Sequence, residues 1–444
     1  MPVTVGTVLL LALGAGLVVL IQPWLGLLLL AALIPWASVQ PLPLGGVPLD
    51  AADLLLMLVG AVWLARGVVA GEIILPQTPL RWPLTLLLGA LLLALIGAQS
   101  YREGLPELFK WAEVLALYVL VIALLPRHRV GWLLGALLLG GVSQALLGVY
   151  QFVTQTGPEA FVLMGRFMRA YGTLRQPNPF AGYLGLLAPL ALSLTIWAWQ
   201  TRQPQALRQA VAVAAGLIVL GILVSWSRGA WLAFAAATLV LLLVYARRSA
   251  MRVLIGLAVV AVLLAGLNAV GLLPAAVVQR LADLKNYFGW MDITQVVVTD
   301  DNFSVVERLA HWQAALGMWR DHVWLGIGPG NYSVLYPIYQ IGNWDDPLGH
   351  AHNIYLNFAA EAGLVGLLAY LVFWLASLWQ AGRAAWSNDK LAVAVGAGVL
   401  GALTHATMHN LFDNLWVQHI YLLPALLLGI LAVLAPSPAD APGQ

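Results

Sequence analysis

The sequence predicts an all-α polytopic membrane protein with about 12–13 transmembrane helices and one large external loop. Three observations carry this expectation. The 444 residues are 61% hydrophobic and 9% charged, whereas an ordinary soluble domain carries about 25% charged residues. Residues 253–273, "VLIGLAVVAVLLAGLNAVGLL", run without a charge, and about 20 apolar residues cross a bilayer core. Polar sequence gathers into one long interruption over residues 273–352.

Taken in order, apolar runs place spans near 5–21, 24–38, 50–65, 82–98, 108–125, 130–152, 180–199, 209–225, 230–246, 252–273, 353–378, 391–411 and 415–435. Only Gln22 and Pro23 separate the first two, which suits a broken or re-entrant pair. Residues 1–7 carry no basic segment, so the first helices are expected to be retained rather than cleaved. The chain thus divides into N-terminal transmembrane helices (1–272), the external loop (273–352), C-terminal transmembrane helices (353–435) and a polar cytoplasmic tail (436–444).

Lys and Arg in short connections mark the cytoplasmic side. "PRHR" at 126–129, "TRQPQALR" at 201–208, "ARRSAMR" at 246–252 and the connection 383–390 fall on one side of this span order, which is therefore inside. The polar stretch 154–179 and the loop 273–352 fall outside. Arg166, Arg169, Arg175 and Arg228 then stand on the side where positive charge is disfavoured, and they call for another explanation. Within the loop, "SVVERLAHWQAALGMWRDH" spaces Val306, Leu309, Trp312, Leu316 and Trp319 by three and four, the pattern of an amphipathic helix on or over the membrane.

The chain has no cysteine, which excludes disulfides, zinc–thiolate sites and cysteine nucleophiles. Arg228 stands in "SWSRGAWLA" between two apolar runs, either a snorkelling anchor or, with Ser225, Ser227 and Gly229 beside it, part of an anion-binding turn. "RAYGTLRQPNPFAGYL" adds Arg169 and Arg175, with Pro177 and Pro179 ahead of a helix and Asn178 as a cap or polar contact; the bland reading is a solvated loop. Arg308 leads the loop helix. "WLGIGPGNY" has the glycines of a phosphate cradle but no lysine and no strand before it, and reads as a tight turn back to the membrane.

"DPLGHAHNIYLNFAAEAG" then sets His350 and His352 at the start of an apolar helix, with Asn353 next in line. Asn353 as a cap beside an interfacial histidine is one reading; a metal site with Asp345 and Asp346 is a second; a general base is the third. A neutral imidazole beside arginines that hold a phosphate-rich leaving group describes transfer from a lipid diphosphate to a hydroxyl.

"GTLRQPNPFAGYL", "SWSRGAWLA", "ERLAHWQAALGMWRDHVWLGIGPGNY" and "HAHNIYLNFAAEAGLVG", in this order over residues 150–380, resemble the O-antigen ligase and O-antigen polymerase superfamily. The resemblance implies a GT-C-like membrane glycosyltransferase of the inner (plasma) membrane. Its donor would be an undecaprenyl-diphosphate-linked glycan, transferred with inversion and without metal or other cofactor, on the external face. It implies His352 as the catalytic base, Arg228 and Arg308 as diphosphate-binding residues, with Arg169 or Arg175 facing the substrate and Asn178, His350 and Asn353 contributing to binding. The acceptor hydroxyl belongs to a lipid A core sugar in ligases, to another lipid-linked repeat in polymerases and to a protein in O-oligosaccharyltransferases; the ligase reading comes first here. Residues 286–304, where the acceptor is expected to dock, show no family pattern. Membrane lipids are the other expected partners, and nucleic acid is not one.

Two readings of other classes stay open. A flippase or transporter would place ionisable residues at the midplane, for which Glu113 is the candidate. A metal-dependent transferase would use Asp50 and Asp53, whose D-x-x-D spacing also suits an N-cap and first-turn acid.

Overall fold

The computed structural model describes residues 13–39, 42–44, 47–246, 249–282, 293, 296–299 and 302–435. The expectations for residues 1–12, for much of 286–304 and for the tail 436–444 lie outside the described residues. Helical residues 13–21 precede α1 (Pro23–Leu33). The chain breaks between them because Pro23 lacks an N–H and takes the first helical position, while Gln22 leaves the helical region (φ −139°, ψ 87°). A short antiparallel hairpin, β1 (Leu42–Leu44) and β2 (Val47–Leu49), leads to α2 (Ala51–Ala70). Asp50 and Asp53 close a capping box there, each carboxylate accepting from the other's backbone N–H.

Next come α3 (Arg81–Ala94), α4 (Tyr101–Leu124) and α5 (Val130–Thr154). After the two-residue strands β3 (Val162–Leu163) and β4 (Phe167–Met168) follow α6 (Pro177–Gln200), α7 (Gln205–Val224), α8 (Arg228–Tyr245) and α9 (Ala250–Ala269). The loop holds α10 (Ala275–Ala282), α11 (Phe303–Asp321) and α12 (Tyr332–Tyr339). The chain then returns through α13 (Ile354–Ala385), α14 (Lys390–His409) and α15 (Leu422–Leu434).

Among the described residues, seven helices are long and apolar enough to cross a membrane: α2, α5, α6, α7, α8, α13 and α14. The apolar stretches containing α1, α3 and α15 are shorter, and α4 carries Arg102, Glu103, Glu107, Lys110 and Glu113. The protein is thus an all-α polytopic membrane protein. In α6, 78% of the apolar window is buried against 28% in α8, so α6 is central and α8 peripheral. Helix α14 packs on α6 through small residues; a Cβ on Gly398 would lie 2.7 Å from the Leu190 Cα, the close approach that small residues permit in membranes.

The two ends of the bundle differ in charge and content. At one end, Arg127 donates to the Asp389 carboxylate (2.9 Å) and to the Ala435 carbonyl (3.3 Å), joining the connections after α4 and α13 to the end of α15. At the other end sits the loop. Asn331 exchanges hydrogen bonds with the Ser100 backbone (2.7 and 3.1 Å), and Ile354 N–H donates to the Asn410 carbonyl (3.0 Å).

Helix α13 is broken. Gly363 takes φ 62°, ψ −165°, a region open essentially to glycine alone. The loop fills the break: the Leu364 and Val365 N–H groups donate to the Val323 and Trp324 carbonyls, and the Ile327 and Gly328 N–H groups donate to the Ala360 and Glu361 carbonyls. The glycine-rich turn is therefore a backbone clamp on a membrane helix, which keeps the interrupted helix hydrogen bonds satisfied.

Two local expectations are corrected. The run 415–435 is helical only from Leu422; residues 410–421 are mostly non-helical although Leu415 and Trp416 are buried. In α11 the most buried side is Val306, Leu309, Ala310, Ala314 and Met318, while Trp312, Leu316 and Trp319 are half-buried. By this side the helix packs on α13, because its alanines allow closer approach than indole rings do.

Candidate active site

The site is built from the start of α13. Asn353 caps the helix, its side-chain oxygen accepting from the Tyr355 and Leu356 N–H groups (3.0 and 3.1 Å) while its amide donates to the Leu411 carbonyl (3.0 Å). Both ends of the side chain are thus engaged in holding the helix start. His352 adopts a left-handed conformation (φ 49°), which costs a non-glycine residue about 1–2 kcal/mol. Its N–H donates to His350 Nδ1 (3.1 Å) and its carbonyl accepts from Trp312 Nε1 (3.3 Å), so neighbours hold the turn.

The turn brings His352 Nδ1 to 3.3 Å from Asp413 Oδ1. A carboxylate only accepts, so in the neutral form of the ring this contact places the proton on Nδ1 and the lone pair on Nε2. Nε2 is buried and has no hydrogen-bond partner among the described residues. Burial opposes ionisation of Asp413, but the hydrogen bond and charge of His352, with the charge of Arg308, outweigh it and hold the carboxyl well below its usual range. His350 is driven the other way: desolvation and then the charge of His352 bring its pKa down to about 3, which keeps the ring neutral. The His350 and His352 ring centroids are 4.4 Å apart.

Asp413 links this pair to a cationic cavity lined by Arg169, Asn178, Arg228, Arg280, Ser304 and Arg308, among others. Asn178 Nδ2 donates to Asp413 Oδ2 (2.9 Å), and Asn178 Oδ1 accepts from Arg169 (2.9 Å) and from the Ser227 hydroxyl (3.0 Å). Arg169 Nε also donates to the Ser225 carbonyl (3.1 Å). Arg228 donates to Ser304 Oγ (2.6 Å); Arg308 donates to the Phe412 and Ser304 carbonyls (2.8 and 2.7 Å); Arg280 donates to the Trp226 carbonyl (3.1 and 3.2 Å). Burial, then the guanidiniums of Arg280, Arg308 and Arg228, pull the Arg169 pKa down to about 9. Cations are gathered here against their mutual repulsion.

Two helix starts add to the positive field. Asn178 lies in the first turn of α6, and Arg228 and Gly229 begin α8. Neither helix has a side-chain N-cap hydrogen bond, since the Ser227 hydroxyl turns to Asn178 instead. Helix N-termini with uncapped N–H groups favour anions.

Of the residues singled out in the sequence, His352, His350, Arg169, Asn178, Arg228 and Arg308 meet in this region. Arg175 is exposed and does not line the cavity. Arg166 is also exposed and lies over the Phe167 ring. Asp345 and Asp346 are exposed, and the acid that completes a possible ligand trio with His350 and His352 is Asp413. Asp413 and Arg280 were not anticipated. Asp413 lies in "HNLFDNLWVQH", between the apolar runs 391–411 and 415–435, and an acid between two such runs is itself a signal of function. Asp50 and Asp53 cap α2 and also meet His419, whose Nε2 lies 2.7 Å from Asp53 Oδ1. Glu113 accepts from the Tyr421 hydroxyl (2.7 Å).

Residues 213–371 match the family model described as O-Antigen ligase. That segment belongs to the O-antigen ligase superfamily. The matched stretch runs from α7 through the loop into α13, narrower than the 150–380 of the sequence resemblance. It contains Arg228, Arg280, Arg308, His350 and His352, whereas Arg169, Asn178 and Asp413 lie outside it. Comparison with curated proteins found no match. The family supports a membrane glycosyltransferase of the ligase or polymerase type, with a lipid-linked glycan and an acceptor as partners in general.

Proposed function

We propose that this protein transfers a glycan from an undecaprenyl-diphosphate carrier to a hydroxyl acceptor, as an O-antigen ligase acting on a lipid A core sugar at the external face of the inner membrane. One observation carries the reading: a His–Asp pair whose second imidazole nitrogen has no partner among the described residues adjoins a cavity of four arginines. Nε2 of His352 takes the acceptor's hydroxyl proton as that oxygen attacks the anomeric carbon. The bond from that carbon to the phosphate oxygen breaks, and its electron pair leaves with the diphosphate. Attack opposite the leaving group inverts the anomeric configuration.

Asp413 fixes the imidazole tautomer and offsets the positive charge that develops on the ring. Arg228 and Arg308 bind the diphosphate and offset the charge it gains, the part a divalent ion plays elsewhere. Arg169, rather than the exposed Arg175, joins them with Asn178, while His350 and Asn353 hold the turn that presents His352.

The test is transfer by the purified protein, with a lipid-diphosphate glycan and extracted lipid A core, in EDTA. Turnover is expected to persist. His352→Ala should abolish it with donor binding largely kept, and Arg228→Ala should weaken donor binding about tenfold or more. Loss of turnover on chelation, or an active His352→Ala protein, would overturn the mechanism.

A further inference from the structure

A second cleft opens beside the His–Asp pair, with a volume of about 650 Å³ and a lining that includes Glu103, Glu107, Lys110, Trp416, Gln418 and Tyr421. That volume is in the range of ligand-binding pockets, roughly 300–1,000 Å³. Resting on the transferase reading above, we propose that this cleft holds the acceptor glycan, and that the part of the glycan it holds carries no negative charge.

Position is the first argument. Gly349 lines the cleft, and the next residue is His350, whose ring packs on that of His352. Asp413 lines the arginine cavity and Trp416, three residues on, lines the cleft. The linings of the two cavities are thus joined by the residues on either side of the His–Asp pair, which places the cleft next to the turn that carries His352.

Chemistry is the second. Glu103, Glu107 and Lys110 occur at positions i, i+4 and i+7 on one face of α4. Lys110 is engaged by Glu107 (2.6 Å) and also donates to the Trp416 carbonyl (3.3 Å), so its charge is offset within the lining. Among the described residues Glu103 has no ion-pair partner, and the lining residue His419 is offset by Asp50 and Asp53 just behind it. Carboxylates and the Gln418 amide bind hydroxyl and amino groups, and Tyr421 offers an apolar ring with a polar tip. Phosphate and carboxylate groups are repelled. The opposite signs of the two cavities thus sort the substrates: the diphosphate goes to the arginines, and the neutral or amino-sugar end goes to the cleft.

The test uses the full-length protein in lipid nanodiscs with undecaprenyl-diphosphate glycan donor. Acceptors are outer oligosaccharide fragments of core glycolipid from the source cells lacking this protein, cut free of the anionic lipid-proximal portion and split by anion exchange into unretained and retained fractions. Transfer is expected to the unretained fraction. Glu103→Gln and Gln418→Ala should each raise its KM about tenfold, and Glu103→Lys further, with the donor KM unchanged. Transfer confined to the retained fraction would overturn the proposal, as would an acceptor KM indifferent to both Glu103→Gln and Gln418→Ala. Transfer to neither fraction, with donor unbound, would instead sink the transferase reading, and this inference with it.

Discussion

At the residue scale, the decisive contact joins His352 to Asp413, 61 positions apart in the chain. Sequence motifs gave half of this pair. The histidine stood out because it interrupts an apolar pattern at a helix start, whereas the aspartate gains meaning only when residues 410–421 fold back beside the turn. Arg169 and Arg175 are separated on the same ground: both lie in one motif, and only tertiary folding buries the first and exposes the second. We expect Asp413→Asn to lower kcat by about 10²–10⁴-fold, the scale seen when a catalytic imidazole loses its orienting carboxylate, with donor affinity little changed. The check is a kcat and KM measurement alongside a donor-binding titration. Equal losses in kcat and binding would mark Asp413 as structural only.

At the element scale, α13 matters most, because one helix begins at the His352 turn and clamps the loop at its break. Its existence was legible from apolar length and from Asn353; its interruption was not. A helix with glycines at 363 and 366 reads as continuous, since nothing local reveals that the Trp324 backbone will press on residue 363. A Cβ there would lie 2.3 Å from the Trp324 carbonyl carbon and oxygen. Gly363→Ala should destabilise the fold by about 3 kcal/mol or more, combining a forbidden conformation with a backbone clash. A thermal midpoint in detergent equal to the wild type's would refute the clamp. The late start of α15 has a similar origin: "NLFDNLWVQHIYL" is apolar enough to pass for a span, yet buried side-chain acceptors such as Asn410 and Asn414 satisfy its backbone without a helix.

At the scale of the whole molecule, composition alone fixed the class, and basic connections sorted the two ends. That Arg127 reaches both Asp389 and Ala435 shows that the connections 126–129 and 383–390 share one end with the close of α15; which compartment it faces follows from the positive-inside rule. Because the chain has no cysteine, single substitutions report cleanly. Gly342→Cys, in open space on the loop, should label with an impermeant maleimide in intact cells, and Asn388→Cys, exposed at the basic end, only after permeabilisation. The reverse pattern would invert the orientation. Residues 410–421 carry a further consequence for how such a protein diversifies. One short segment delivers Asp413 to the arginine cavity and Trp416 to Tyr421 to the neighbouring cleft. On the proposed transfer, drift in its second half would retune what receives the glycan while its first half preserved the chemistry, so a lineage could change partners without reinventing its reaction.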